Sequence, residues 1–245
     1  MTIQDKVVAI TGAGRGIGRA TALHLAAHGA RVVIGARSET ELLNVAQEIE
    51  RAGGEAALRS TDVTKRSDLV SLIGLGCDRF GRVDIIVNNA GIGPISRFDA
   101  LRVEDWDAMI DVNLRGALYG IAAALPVFTQ QGKGHVINVI STAGLKIVPT
   151  MGVYAATKNA LRTATEALRQ EAGAQLRVTE VSPGFIDTSF TDSSITDPGV
   201  KAMINKQKER LAISPKAIAR AIAFAIEQPE DVEIGSIVVR PTAQD

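Results

Sequence analysis

Short, continuously apolar segments alternate with longer helical patterns along almost the whole of this 245-residue chain. Apolar runs without a polar partner face are typical of strands that are covered on both sides of a sheet. The predicted strands, rich in Val and Ile, span residues 6–11, 31–36, 83–88, 135–140, 176–181 and 236–240, with 55–60 as a weaker candidate.

Helical patterns occupy the intervals between these strands, at residues 16–28, 39–52, 66–79, 104–130, 151–172 and 214–227. Strands that alternate with helices in this way predict a parallel sheet with helices on both faces. The chain length suits a single α/β domain. We expect residues 1–140 to form a cofactor half and residues 141–245 a catalytic and substrate half.

One polar segment, residues 189–212, departs from this regularity and follows the end of a strand. Ligands of open α/β sheets bind beyond the carboxyl ends of the strands, so this segment is predicted to be a substrate lid. A solvated surface excursion is the alternative.

The overall charge excludes some partners. Lys and Arg balance Asp and Glu, so the formal net charge is zero and nothing favours nucleic acid or an anionic membrane. The sequence shows neither a charged and apolar leader nor an apolar run that predicts a membrane span. We therefore expect a cytoplasmic protein. The spacing of His24, His28 and His135 suggests no metal site.

The first predicted strand runs directly into a glycine-rich loop, Thr11-Gly12-Ala13-Gly14-Arg15-Gly16-Ile17-Gly18. Glycines permit a tight turn and close approach of the backbone to a pyrophosphate, and the following helix offers unpaired N–H groups to it. Tight turns also select glycine, but the position between a strand and a helix favours a dinucleotide site. The residues expected to contact the dinucleotide here are Gly12, Gly14, Arg15, Gly16, Ile17 and Gly18.

The end of the second strand indicates which dinucleotide binds. An NAD site usually has an acidic residue here, whereas this chain has Arg37. A charge-assisted hydrogen bond from Arg37 to a 2′-phosphate would favour NADP(H) about 10- to 150-fold over NAD(H). Arg15 is a second candidate for that phosphate, and a solvated Arg37 is the alternative. Asp62 and Val63, after the third strand, are predicted to contact the adenine, although Asp62 could instead cap the next helix.

Three side chains suggest proton-transfer chemistry. Tyr154 and Lys158 lie four residues apart and so share one face of a helix, and Ser141 ends a strand thirteen residues before Tyr154. An ammonium about 5 Å from a phenol, at an effective dielectric of about 20, lowers the phenol pKa by about two units. This predicts Tyr154 as a general acid and base for hydride transfer at a carbonyl carbon, with Ser141 binding the substrate oxygen.

Asparagines supply two further candidates. Asn88-Asn89-Ala90-Gly91 ends the fourth strand, where Asn89, Ala90 and Gly91 are expected to brace the loop over the cofactor. Asn113 interrupts a long helical pattern, which is unfavourable in itself. It is expected to turn a backbone carbonyl toward a water that relays protons to Lys158.

Together these motifs resemble the short-chain dehydrogenase/reductase family, and the resemblance covers essentially the whole chain. It implies a single-domain, Rossmann-type doubly wound parallel sheet of about seven strands and a tetrad of Asn113, Ser141, Tyr154 and Lys158. It also implies that Lys158 binds the nicotinamide ribose, that Thr188 meets the carboxamide, and that the protein is a homotetramer or dimer. Further cofactor contacts are expected at Tyr154, Pro183, Gly184 and Ile186.

The favoured function is therefore an NADP(H)-dependent oxidoreductase acting on a small carbonyl compound or secondary alcohol. A catalytically silent NADP(H) sensor would not need the whole tetrad, and an epimerase or dehydratase usually has a larger C-terminal domain. The substrate stays open between an apolar compound and an anion drawn by Lys201, Lys206, Lys208 or Arg210, although a solvated helix face explains these four cations as well or better. Candidate lining residues are Gly93, Ala143, Leu145, Phe185, Phe190, Ile195 and Met203.

Overall fold

A computed structural model describes residues 3–190, 195 and 197–244. Its seven strands form one parallel sheet in the order β3-β2-β1-β4-β5-β6-β7. The strands are β1 Val7–Thr11, β2 Arg31–Ala36, β3 Glu55–Ser60, β4 Ile85–Asn88, β5 Gly134–Val139, β6 Leu176–Pro183 and β7 Ser236–Val239. All seven predicted strands are present, with ends shifted by at most two residues.

Helices cover both faces of the sheet, as the alternating pattern predicts. They are α1 Gly16–Ala27, α2 Glu39–Arg51, α3 Arg66–Phe80, α4 Val103–Met109, α5 Gly116–Gln131, α6 Gly152–Glu171, α7 Pro198–Leu211 and α8 Lys216–Glu227. One core lies between the sheet and α1, α2 and α8, and a second lies between the sheet and α3 and α5. The doubly wound, Rossmann-type parallel sheet is thus confirmed.

Two features differ from the predicted helices. The pattern at 104–130 is interrupted by a π-helical turn, Ile110–Arg115, between α4 and α5. The polar segment at 189–212 contains an unpredicted helix, α7, which begins at Pro198 with the Asp197 side chain accepting from Val200 N at 2.8 Å. An N-cap aspartate followed by proline is a readable helix start, but the segment lacks a strong apolar repeat.

Segment Val103–Gln131 is, by length and composition alone, apolar enough to cross a membrane. The search for long apolar runs in the sequence had predicted no membrane span. A helix that packs on the sheet of a globular protein passes the same test. Here α5 packs against α3, β4 and β5 and buries Ala124 and Phe128 in the second core. The segment is therefore weak evidence for a membrane protein.

Candidate active site

A cavity of about 1170 Å³ lies along the carboxyl ends of the strands, where the strand order reverses between β1 and β4. Such a crevice is the usual ligand site of an open parallel sheet. Most of the predicted cofactor residues line it: Gly12, Gly14, Arg15, Gly16, Ile17, Arg37, Asp62, Val63, Asn89, Ala90, Gly91, Tyr154, Lys158, Pro183, Gly184, Ile186 and Thr188.

The glycine loop has the form that a pyrophosphate requires. Gly12 and Gly16 adopt φ values of +65° and +57°, which disfavour other residues. Helix α1 follows with no side-chain cap at Arg15 and no acidic residue in its first turn, so its N–H groups are available to an anion. The loop therefore fits a dinucleotide phosphate.

Gly18 is the predicted cofactor residue that does not border the cavity. A Cβ atom at Gly18 would lie 2.3 Å from the Gly12 carbonyl oxygen and 2.6 Å from Asn89 Nδ2. Its absent side chain thus lets α1 pack directly beneath the loop. Gly18 shapes the site from behind and is not expected to touch a ligand.

Asn89 braces the glycine loop. Its Nδ2 donates to the carbonyls of Thr11 at 2.8 Å and Gly12 at 3.2 Å. In return the Thr11 hydroxyl accepts from the backbone N–H groups of Asn89 and Ala90, at 3.0 and 3.1 Å. The ends of β1 and β4 are therefore locked together by Thr11, the first residue of the glycine loop, whose bracing role the sequence did not predict.

Charged side chains surround the distal end of the cavity. Arg15 and Arg37 are exposed at its edge, and no ion pair of either is found in the described part of the chain. A carboxylate, that of Glu41, also borders this end of the cavity, and its Oε2 lies 2.7 Å from the position that a Gly14 Cβ would take. The Asp62 carboxylate accepts from Thr64 N and Thr64 Oγ1 and so closes a turn.

The alternative role of Asp62 as a helix cap is wrong, because α3 begins at Arg66 with Lys65 at its N-cap. Burial alone would raise the pKa of Asp62, but the hydrogen bonds from Thr64, together with the charges of Lys65 and Arg37, lower it overall. Asp62 is thus a charged acceptor at the cavity wall.

At the opposite end, the structure brings three of the proposed tetrad side chains to the cavity wall. Tyr154 lies in the first turn of α6, Lys158 one turn later, and Ser141 follows β5. Lys158 is buried, and its Nζ donates to the Val139 carbonyl at 3.0 Å and lies 6.0 Å from the centre of the Tyr154 ring. The Ser141 hydroxyl accepts from Ala143 N at 3.1 Å.

The pKa shifts differ from the sequence prediction. Burial raises the pKa of Tyr154 to about 12, although a hydrogen bond with Ser141 acts in the opposite direction. Burial also lowers the pKa of Lys158 to about 8. The predicted lowering of the Tyr154 pKa by Lys158 is therefore not produced by the protein groups themselves, because desolvation of the phenolate dominates. At neutral pH the phenol holds its proton.

Asn113 lies behind the cavity, in the π-helical turn. Its Oδ1 accepts from Ile92 N at 2.8 Å, and its Nδ2 donates to Ile92 O at 2.9 Å and to Thr157 Oγ1 at 3.2 Å. The Thr157 hydroxyl donates to the Tyr154 carbonyl at 2.8 Å. Thr157, inside the Tyr-x-x-x-Lys motif, is a positioning residue that spacing alone did not reveal. The water relay stays a prediction.

Three residues of the proposed lid line the substrate end of the cavity: Phe190, Ile195 and Met203. The other predicted lining residues also border it: Gly93, Ala143, Leu145 and Phe185. Of the four cations considered for an anionic substrate, Lys208 and Arg210 line the cavity, whereas Lys201 and Lys206 do not. Positions 191–194 and 196 of the lid, and the chain ends at 1–2 and 245, lie outside the described residues.

Gln244 is a further cavity residue that the sequence reading missed. Its Oε1 accepts from Phe185 N at 2.9 Å, and its Nε2 donates to Thr142 Oγ1 at 3.3 Å. The chain end thus joins the turn after Ser141 to the loop after β6. A residue so far along the chain gives no local signal of this role.

The parallel sheet, the glycine loop at its switch point and the Tyr154–Lys158 pair define the class of Rossmann-type, dinucleotide-binding oxidoreductases. The chain belongs to the short-chain dehydrogenase family, whose family model matches residues 6–199. An uncharacterized oxidoreductase of Listeria monocytogenes is 44% identical over 100% of this chain and 99% of its own. One from Staphylococcus saprophyticus is 42% identical over 99% and 98%.

Solved structures give the same fold with different cofactors. An alcohol dehydrogenase of the archaeon Thermococcus sibiricus, in complex with 5-hydroxy-NADP, superposes with a TM-score of 0.88 at 32% identity, covering 99% of both chains. A Burkholderia phymatum short-chain dehydrogenase/reductase in complex with NAD has a TM-score of 0.88 at 26% identity, covering 97% of this chain and 90% of its own. The fold is therefore compatible with either dinucleotide.

Proposed function

We propose that the protein is an NADP(H)-dependent oxidoreductase that interconverts a small carbonyl compound and its alcohol, with Tyr154 as general acid and base. The observation that carries this is that Tyr154, Lys158 and Ser141 line the same cavity as the glycine loop. Bound NADP(H) supplies or accepts the hydride. The protein groups bind, orient and move the proton.

In the reducing direction Tyr154 donates its phenolic proton to the carbonyl oxygen, for which a pKa of about 12 leaves it in the correct state. The Ser141 hydroxyl donates to the same oxygen and fixes its approach. The Lys158 ammonium stabilises the phenolate that remains. In the oxidising direction the same phenolate takes the proton from the alcohol, at a higher cost because burial disfavours it.

The preference for NADP(H) rests on Arg15 and Arg37. Both are exposed cations at the edge of the cavity near Gly14, and the second strand ends without the acidic residue that a ribose 2′-hydroxyl usually meets. A 2′-phosphate there would gain charge-assisted hydrogen bonds, despite the nearby Glu41 carboxylate. NADPH preference also favours reduction over oxidation in the cell.

Replacement of Tyr154 by Phe tests the proposal. Turnover of a carbonyl compound, followed by NADPH absorbance, should fall by about 10²–10⁴-fold, because general acid catalysis contributes that much. NADPH binding should persist. Tyr119 is the only other tyrosine; it packs on the second core away from the cavity, so Tyr119→Phe is the matched control. A Tyr154→Phe variant with wild-type turnover would contradict the proposal.

We also propose a homotetrameric, cytoplasmic protein. Helix α6 carries Ala156 and Ala167 on its exposed surface, and Leu118 of α5 is exposed as well, so packing within one subunit does not account for these residues. Small residues permit close approach of a helix from another subunit. Sedimentation equilibrium of the purified protein and fractionation of the source cells test the two statements.

A further inference from the structure

The ring of Phe190 occupies a space that only a glycine at position 93 provides. A Cβ atom on Gly93 would lie 2.7 Å from Phe190 Cε1 and 2.8 Å from Phe190 Cζ, well inside contact distance. The same atom would lie 3.5 Å from Tyr154 Cδ2. Gly93 and Phe190 are therefore fitted to each other beside the proposed acid and base.

Phe190 also meets Tyr154 directly. The two ring centroids are 6.0 Å apart and the ring planes are inclined by 57°, within the range of favourable aromatic pairs. Phe190 and Tyr154 also line the same cavity, so a substituent of a carbonyl that approaches the Tyr154 hydroxyl can pack against the Phe190 ring. Phe190 is thus placed to select that substituent.

The surroundings of Tyr154 are built from carbon. Ile95, Ile195, Val200 and Ile204 form a buried cluster that is separate from the two sheet cores, and Tyr154 packs against it. Met151 and Phe185 complete the same apolar wall. A substrate group in this region exchanges water for apolar surface, which favours uncharged groups.

One of the two lid cations that line the cavity, Lys208, is already engaged. Lys208 Nζ donates to the Thr188 carbonyl at 2.6 Å and pairs with Asp187 at 3.5 Å. Its charge therefore fixes the segment that leads to Phe190. A substrate carboxylate beside Phe190 would lose its hydration and would meet apolar side chains, which is costly.

We propose that the Phe190–Gly93 pair makes this site selective for ketones that bear an aryl group and carry no charge on either substituent, and for the corresponding alcohols. The inference rests on the proposed function and adds the substrate class to it. The aryl group packs against the Phe190 ring and the apolar wall, while the carbonyl oxygen meets Tyr154 and Ser141.

Three ketones test the class: acetophenone, 2-butanone, which replaces the phenyl group, and benzoylformate, which replaces the methyl group by a carboxylate. With NADPH, wild-type kcat/KM for acetophenone should exceed that for each of the others by on the order of tenfold. Phe190→Ala should remove most of the advantage over 2-butanone. Gly93→Ala should act in the same direction, because the added Cβ displaces the ring.

Phe224→Ala is the matched control, since Phe224 lies exposed on α8, away from the cavity, and its loss should leave all three values unchanged. Thermal unfolding of each variant shows whether it is folded, and Phe190→Leu serves if Phe190→Ala is not. The inference is overturned if wild type prefers benzoylformate, or if the acetophenone to 2-butanone ratio survives replacement of Phe190. If either result is found while the enzyme still oxidises NADPH with one of the ketones, the proposed function stands and only the substrate class is wrong. If no carbonyl compound supports NADPH oxidation, both the proposed function and the substrate class are overturned.

Discussion

Both hydrogen-bonding groups of the Asn113 amide are held by the backbone of Ile92: Ile92 N donates to Oδ1 at 2.8 Å, and Nδ2 donates to Ile92 O at 2.9 Å. The Nδ2 group also reaches Thr157, which bonds to the Tyr154 carbonyl. One side chain thus joins the π-helical turn, the loop after β4 and the first turn of α6. It explains why an asparagine lies inside a helical pattern.

Replacement of Asn113 by Ala should therefore lower both stability and rate. It leaves Ile92 N and O without their partners in a partly buried position, which costs up to about 1–3 kcal/mol of unfolding free energy. Urea denaturation measures the loss, and NADPH oxidation measures the fall in kcat. Asn44→Ala, on the exposed face of α2, should do neither. If Asn113→Ala is as stable as wild type, the hydrogen bonds between Asn113 and Ile92 do not contribute to the stability of the fold.

The reduction rate should depend on pH through Lys158. Its pKa of about 8 means that the ammonium is present below that pH and is lost above it. Tyr154, with a pKa of about 12, keeps its proton across this range. We therefore expect kcat/KM for reduction to be constant up to about pH 8 and to fall about tenfold per pH unit beyond it.

Lys158→Arg provides the control for this profile. An arginine keeps its charge up to a pH above about 12, so whatever activity the variant retains should not fall near pH 8. Steady-state rates with limiting carbonyl substrate and saturating NADPH, over a range of buffers at fixed ionic strength, give both kcat/KM profiles. The same decline in both proteins would assign the titration to another group.

Cofactor preference should depend on Arg37. Replacement by Gln removes the proposed charge-assisted contact to the 2′-phosphate and should raise KM for NADPH by about 10- to 150-fold. KM for NADH, which lacks that phosphate, should change little. Arg59→Gln is the matched control, because Arg59 is an exposed arginine of the neighbouring strand that does not border the cavity. Equal effects on the two coenzymes would contradict the NADP(H) assignment.

Acid should destabilise the protein through His135. This side chain is buried between β5 and β6, where its Nε2 contacts Thr179 Oγ1 at 2.8 Å. Burial, and then the charge of Arg177, lower its pKa well below 6.5. The unfolded chain therefore binds a proton that the folded protein does not, so stability is complete above the unfolded pKa of 6.5 and falls as the pH drops below it.

His135 alone contributes a slope of at most about 1.4 kcal/mol of unfolding free energy per pH unit. Urea denaturation on either side of pH 6.5 measures it, and His135→Gln should flatten the profile. The pKa of His24 is also lowered by burial, so His24→Gln serves as the control for a second histidine. If His135→Gln keeps the full slope, the assignment to His135 is wrong.

The fold was predictable because its signals are local. Continuous apolar runs and helical periods identify the strands and most helices, and the glycine loop marks the switch point by its position between β1 and α1. Helix α7 was missed, although Asp197 and Pro198 gave a start signal, because its sequence is largely polar. The π-helical turn contains Asn113, which bonds to the distant Ile92, and it leaves no periodic trace in the sequence.

Only part of the site was predictable from the sequence, because many of its contacts join residues that are far apart along the chain. Four-residue spacing places Tyr154 and Lys158 on one face of α6, but their pKa values follow from burial, which spacing does not contain. Thr11 and Thr157 act through bonds to distant or backbone groups. Gln244 reaches the site from the opposite end of the catalytic half, so only the assembled sheet shows its contacts.

Gln244 gives the last test, because it fixes the turn that presents Ser141. Its Oε1 accepts from Phe185 N, its Nε2 donates to Thr142 Oγ1, and a Cβ on Gly184 would lie 2.2 Å from that Oε1. Gln244→Ala should lower kcat about two- to tenfold, the worth of one neutral hydrogen bond. The Gln244→Glu variant keeps the acceptor and loses the donor, so its kcat should lie between those of wild type and Gln244→Ala. Gln228→Ala, just after α8, is the control and should leave kcat unchanged. If Gln244→Ala also has the kcat of wild type, Gln244 does not contribute to catalysis.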